Sequence, residues 1–150
     1  RCGVLVTENE TLMATIEALG YWSLVSGSTQ HLLGEMISDT DWVDGYLESM
    51  QQGLREAYAE ATGRLDHHGI PHLPAAGGFF FLVDLRKWLT EPSWDAEHTL
   101  WRRLVDDAGV NLTPGSACRI GEPGFMRLCF ATAPRDAVLT GIDRIARVLG

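Results

Sequence analysis

Six apolar residues recur at helical spacing over about five turns, and this stripe constrains the chain more than any other feature. They are Val43, Leu47, Met50, Leu54, Tyr58 and Ala61. Arg64, His67 and His68 near the end of the stripe suit the negative end of a helix dipole. Gly69 is a natural stop. A helix with one apolar face demands a packed layer against it, and the composition supplies the material. The 150 residues are 45% hydrophobic and 21% charged, the profile of a globular chain rather than a disordered one.

On either side of the long helix the punctuation predicts further elements. Cys2–Val6 reads as a strand and is followed by a helix from about Asn9, with Leu12, Ile16 and Leu19 on one face and Thr7 or Asn9 as cap. Ser26-Gly27-Ser28 breaks that pattern, and a second break falls near residues 39–41. Beyond Gly69 the character changes. Ile70–Leu73 reads as a short strand, and Gly77-Gly78 introduces a central strand over Phe79–Leu85. A helix is predicted from about Trp94 to Ala108, then an extended piece over Val110–Leu112 and a Gly- and Ser-rich loop over 114–124. A strong strand over Phe125–Ala131 precedes a last helix opened by Pro134, with Val138, Leu139, Ile142, Ile145 and Leu149 on its apolar face. The expected class is α/β with an α+β small domain: a long helix plus a small mixed or antiparallel sheet covered by helices on one face. The chain opens with Arg1 inside what reads as a strand, so a preceding segment, removed or carried by another chain, is expected. A division near residue 40 separates 1–40 from 41–150.

Charge and composition exclude some functions. The net charge is −8, Lys87 is the single lysine and the arginines are scattered, so no nucleic-acid surface is expected. The longest apolar run, Phe79–Val83, is far short of a membrane span. Three cysteines, Cys2, Cys118 and Cys129, lack metal spacing and fit a reducing cytoplasm. His67, His68 and His72 lie close in sequence, but neither H-E-x-x-H nor C-x-x-C occurs, and no metal site is expected. Ser116, Cys118 and Cys129 have no marked base beside them, and buried free thiols are the simpler reading of the cysteines. The tryptophans at 22, 42, 88, 94 and 101 read as core packing.

Arg127 is different. It stands mid-strand in Phe125–Phe130, where a guanidinium is costly to bury unless an anion meets it. Its planar fork fits a carboxylate in bidentate fashion. From the pattern alone, a structural salt bridge or a place on the strand's solvent face is the favoured reading. The loop Thr113–Cys118 has the look of a backbone nest that holds anions.

Three segments, in order and spacing, carry a resemblance: Leu24–Leu33 (LVSGSTQHLL), Asn111–Cys118 (NLTPGSAC) and Glu122–Ala131 (EPGFMRLCFA). Together they resemble the C-terminal half of 1-aminocyclopropane-1-carboxylate (ACC) synthases and, more broadly, class I/II aminotransferases of pyridoxal-phosphate (PLP) fold type I. The resemblance runs over essentially the whole chain, and the third segment is its most specific part. It implies that Arg127 grips the α-carboxylate of an amino-acid substrate. It also implies that Arg1, in Arg1-Cys2-Gly3, contacts the phosphate of PLP as the arginine of an R-x-G motif.

The resemblance implies residues 1–40 as the tail of a large PLP-binding domain and 41–150 as the small C-terminal domain. A homodimer, or a complex with a chain carrying the PLP lysine, is expected, with the Ser26–Gln30 segment near the interface. Transamination, ACC formation from S-adenosylmethionine and C–S lyase chemistry all remain open. In the family the Schiff-base lysine lies a few residues before the position of Arg1, and Lys87 matches no catalytic position. These residues alone are therefore expected to be inactive, and none is assigned a catalytic role. The alternative is a stand-alone, non-catalytic small domain that binds a protein partner or an amino acid.

Overall fold

The computed structural model describes residues 2–20 and 24–150. Arg1 and residues 21–23 lie outside the described residues, and with them the phosphate contact expected of Arg1 and the packing expected of Trp22. The chain divides into two compact units, Arg1–Ser49 and Met50–Gly150.

In the first unit the local signals act as read, with one exception. Helix α1, Glu10–Gly20, starts where Asn9 Oδ1 accepts the Leu12 amide at 3.0 Å. Helix α2, Gly27–Ser38, starts where Ser26 Oγ accepts the Thr29 amide. Asp39 breaks the helical run and then caps the long helix α3, Thr40–His67, by accepting the Trp42 amide at 3.1 Å. The exception is Cys2–Val6, which is not a strand. Its apolar side chains are exposed, with Val4 at 87% and Val6 at 88%. A strand exists only where a neighbour takes its backbone N–H and C=O groups, and no such neighbour occurs among the described residues. Trp42 is also more exposed than core packing implies, and it stacks on Tyr46.

The second unit is built on a three-stranded antiparallel sheet. Its strands are β1, Phe80–Asp84, β2, Thr113–Pro114, and β3, Phe125–Cys129, in the order β1-β3-β2. The middle strand is β3, not the Phe79–Leu85 segment expected there. On its other side β1 meets only a single bridge, His72 to Val83, and that bridge is what remains of the strand expected over Ile70–Leu73. The extended piece expected over Val110–Leu112 pairs two residues later, as β2.

Alternation along the strands sorts the two faces of the sheet. Phe81, Val83, Met126 and Leu128 are buried and join one core with Leu65 of α3, Leu100 and Leu104 of α4 (Trp94–Ala108), and Ile142 and Ile145 of α5 (Arg135–Leu149). Removing each such side chain from water stabilises the fold by about 1.5–3 kcal/mol. Tyr58 of α3 closes one end. Its ring meets the edges of Phe81 and Phe130, and its hydroxyl accepts the Ala75 amide at 3.2 Å.

At the surface, Asp143 of α5 accepts from Arg64 at 2.9 Å and pairs with the His68 ring at 2.7 Å. The His68 ring thus serves α5 rather than the carbonyls at the end of α3. The other face of the sheet carries Phe80, Leu82 and Asp84 from β1, and Phe125, Arg127 and Cys129 from β3.

Candidate anion-binding site

Arg127 stands at the middle of the sheet, on the face turned away from the helices. Its backbone partners are Leu82 on β1 and Thr113 on β2. The pleat follows directly from the sequence: Met126 and Leu128 point into the core, so Arg127 points out of it. Two neighbours hold the half-buried guanidinium. Its Nη2 donates to Thr113 Oγ1 at 3.3 Å, and its central carbon lies 5.0 Å from the centre of the Phe80 ring. Among the described residues no carboxylate lies within 4.0 Å of it. No salt bridge therefore engages Arg127 among the described residues, and of its five N–H donors one is seen to meet a described side chain.

A cleft of about 650 Å³ runs beside this position. It lies between the 109–113 segment, the end of β3 and the first turns of α5, and Arg127, Asp136 and Arg144 are among its lining residues. Trp101 of α4 holds its near wall: the indole N–H donates to Asn111 Oδ1 at 3.1 Å and to the Leu112 carbonyl at 2.9 Å. Trp101 is thus a positioning side chain, whereas Trp94 is exposed.

Of the Thr113–Cys118 loop, one amide is already taken by a side chain from α4. Glu97 Oε1 accepts the Ser116 amide at 3.0 Å, and Glu97 Oε2 accepts the Gly124 amide at 2.7 Å. Sequence reasoning passed over Glu97. Its signal was a charged residue in line with the apolar stripe Leu100, Leu104 and Ala108. Phe80 and Thr113 were also missed as neighbours of Arg127, because cross-strand register is not visible along a single strand.

The remaining candidates separate. Cys118 and Cys129 are half-buried rather than buried, Cys2 is exposed, and all three are free thiols. Cys129 Sγ donates to the Phe79 carbonyl at 3.2 Å. The His72 ring lies tilted against Phe81, with ring centres 5.6 Å apart, and its Nδ1 is 3.6 Å from Asp66. Among the described residues no group of three His, Cys, Asp or Glu side chains is placed to hold a metal ion. No described helix is long and apolar enough to cross a membrane.

At the far end of the same face Arg86 lies over Phe125 and pairs with Asp84 at 2.7 Å and Glu122 at 3.3 Å. That hydrogen bond holds the Asp84 carboxyl below its usual range. Arg86 is paired with carboxylates, whereas among the described residues Arg127 is not. Lys87 rests near Trp88, 5.2 Å from the ring, and does not line the cleft. The described residues offer no imine-forming lysine at Arg127, so by themselves they do not fit PLP.

The model of the family described as aminotransferase class I and II matches residues 1–145. The chain is 35% identical to 1-aminocyclopropane-1-carboxylate synthase 11 of Arabidopsis thaliana over 145 residues, which is 97% of this chain and 32% of that protein. It is 36% identical to 1-aminocyclopropane-1-carboxylate synthase CMW33 of Cucurbita maxima, again over 97% of this chain and over 29% of that protein. The chain thus spans about a third of the length of the curated relatives it matches. Among solved structures, an α-aminoadipate aminotransferase from Thermus thermophilus superposes with a TM-score of 0.73 at 24% identity, over 93% of this chain and 35% of that one. A PLP-bound putative aminotransferase from Clostridium difficile gives 0.63 at 20% identity, over 73% and 27%.

Proposed function

Because the chain belongs to the class I and II aminotransferase family, we propose that it is the C-terminal part of a PLP-dependent enzyme acting on an α-amino acid, and that Arg127 binds the substrate's α-carboxylate. The observation that carries this reading is the Arg127 guanidinium: half-buried, steadied by Thr113 and Phe80, and without a carboxylate partner among the described residues. An α-carboxylate would take the free edge of the fork in two parallel charge-assisted hydrogen bonds. The Phe80 ring would shield one face of that pair from water and so strengthen it.

PLP, when bound, supplies an electron sink for carbanion chemistry at the amino acid's α-carbon. On this proposal its lysine, and most of its pocket, belong to the rest of the enzyme or to a partner chain. Arg1 would contact its phosphate. Residues 1–40 would be the tail of the large domain and 41–150 the small domain, in a homodimer or a complex with the lysine-bearing chain. The 150 residues alone would bind a carboxylate without turning it over. The names of the curated relatives favour ACC synthase-like chemistry; an aminotransferase reaction uses the same carboxylate grip.

The test is a titration of the chain with L-alanine, followed by the Arg127 Nε–Hε resonance. Saturable shifts that Arg127→Ala abolishes are expected, with the fold intact. Equal L-alanine binding by Arg127→Ala would remove the carboxylate role. Native mass spectrometry of the protein from its own host, with visible absorbance on the same sample, tests the rest. A complex containing a lysine-bearing chain and an aldimine band supports the enzyme reading. A colourless 150-residue chain alone, even with added PLP, would favour the non-catalytic binding domain.

A further inference from the structure

Glu97 is 1% exposed, and both of its oxygens are used on backbone amides, Ser116 at 3.0 Å and Gly124 at 2.7 Å. The Gly124 carbonyl in turn accepts the Leu85 amide at 2.8 Å. The ends of β2 and β3 therefore meet on one carboxylate, and the end of β1 joins them through the Gly124 carbonyl. Ser116 follows β2, Gly124 precedes β3, and Leu85 follows β1.

Gly115 leaves space for the carboxylate, and Gly124 leaves space for Arg86 beside it. A Cβ at Gly115 would lie 2.5 Å from the Phe125 carbonyl oxygen and 3.0 Å from Glu97 Oε2. Gly124 has φ +101°, in the left-handed region, and a Cβ there would lie 2.6 Å from Arg86 Cγ. A buried carboxylate is costly unless its lone pairs are met, and these are met by amides rather than by Arg127.

Its place in the sheet gives that cost a purpose. The register of Thr113 against Arg127 is set by where β2 ends and β3 begins, and Glu97 ties those two points together. A carboxylate accepts at both oxygens; a carboxamide accepts at one and would turn an NH₂ group toward the other amide.

We infer that Glu97 is a positioning residue for Arg127, fixing the β2–β3 register so that the guanidinium fork meets the substrate carboxylate. The inference rests on the reading of Arg127 above. Glu97 does not touch substrate; it acts through the strand ends.

The experiment uses the full 150-residue chain with L-alanine as probe, in the unaltered protein, Glu97→Gln, Glu97→Asp and the core control Ile70→Val, which lies outside the cleft. Glu97→Gln is expected to weaken L-alanine binding about tenfold, because a displacement of a fraction of an ångström misaligns a bidentate pair. The Arg127 Nε–Hε resonance should move in the ligand-free spectrum, and the Ser116 and Gly124 amides should exchange faster. Glu97→Asp keeps the charge but reaches only one amide, so intermediate affinity is expected. Ile70→Val loses stability by a route that leaves L-alanine binding and the Arg127 resonance unchanged. If either Glu97 variant that folds binds like the unaltered chain with an unmoved Arg127 resonance, the inference is overturned. If the unaltered chain does not bind L-alanine, the reading of Arg127 falls and this inference with it.

Discussion

Helices α1 and α2 bury no side chain, whereas α4 buries Leu100 and Leu104 and α5 buries Ile142 and Ile145. All four carry apolar residues. In the first unit Leu19, Leu32 and Ile37 are exposed at 64%, 61% and 63%. The contrast separates two sources of helical order. The 11- and 12-residue helices α1 and α2 depend on their caps and on intrinsic propensity, which leave helices of that length marginal. Helices α4 and α5 are held by a sheet whose inner face matches theirs. An apolar stripe in a sequence thus states what a helix can bury, not what it has buried.

The sharpest way to break this comparison is amide hydrogen exchange. Amides of β3 and α5 should be protected to the level of global unfolding, on the order of 5 kcal/mol or more, while those of α1 and α2 exchange near the unstructured rate. Equal protection in both groups would show that α1 and α2 are held by packing after all.

The next effect is a pair of truncations read by urea unfolding. Leu104→Ala, at a fully buried position, is expected to cost about 3 kcal/mol. Leu32→Ala should stay within about 0.5 kcal/mol. Similar costs would erase the distinction.

The smallest effect tests the surface of the second unit. Hydrogen bonding from Arg86 holds Asp84 below the usual carboxylate pKa. A depressed pKa contributes stability that is fully present above the unfolded-state value, near 3.8, and is lost as pH falls through the folded value. Asp84→Asn should therefore flatten the fall in stability below about pH 4. The effect is roughly 0.5 kcal/mol, kept small because Arg86 is half exposed and screened by water. An unchanged acid limb in Asp84→Asn would show that the ion pair contributes nothing.

Much of the fold was legible. The α3 stripe, the stop at Gly69, the end of α4 at Ala108, and the strands around Phe81 and Met126 follow from periodicities of 3.6 and 2 and from local cap chemistry. The misread elements share one cause. Cys2–Val6 has strand composition but no partner among the described residues, and Phe79–Leu85 has the composition of a central strand but lies beside one. Pairing is a property of two segments, and one segment does not carry it.

The candidate site divides in the same way. Arg127 was visible because a charge among Phe125, Met126, Leu128 and Phe130 breaks an apolar strand, and the alternation of that strand already sends it to the face opposite Met126. That the guanidinium meets Thr113 and Phe80 and no described carboxylate, while Arg86 on the same face is fully paired, depends on cross-strand register. The sequence by itself determined the helices, the strong strands and the residue that breaks one of them, because those signals are local and repeat along the chain. Only the tertiary structure decided that a carboxylate 30 residues before Arg127 in the chain lies buried among the strand ends, because contacts between distant segments are selected by packing and by the need to satisfy every buried polar group.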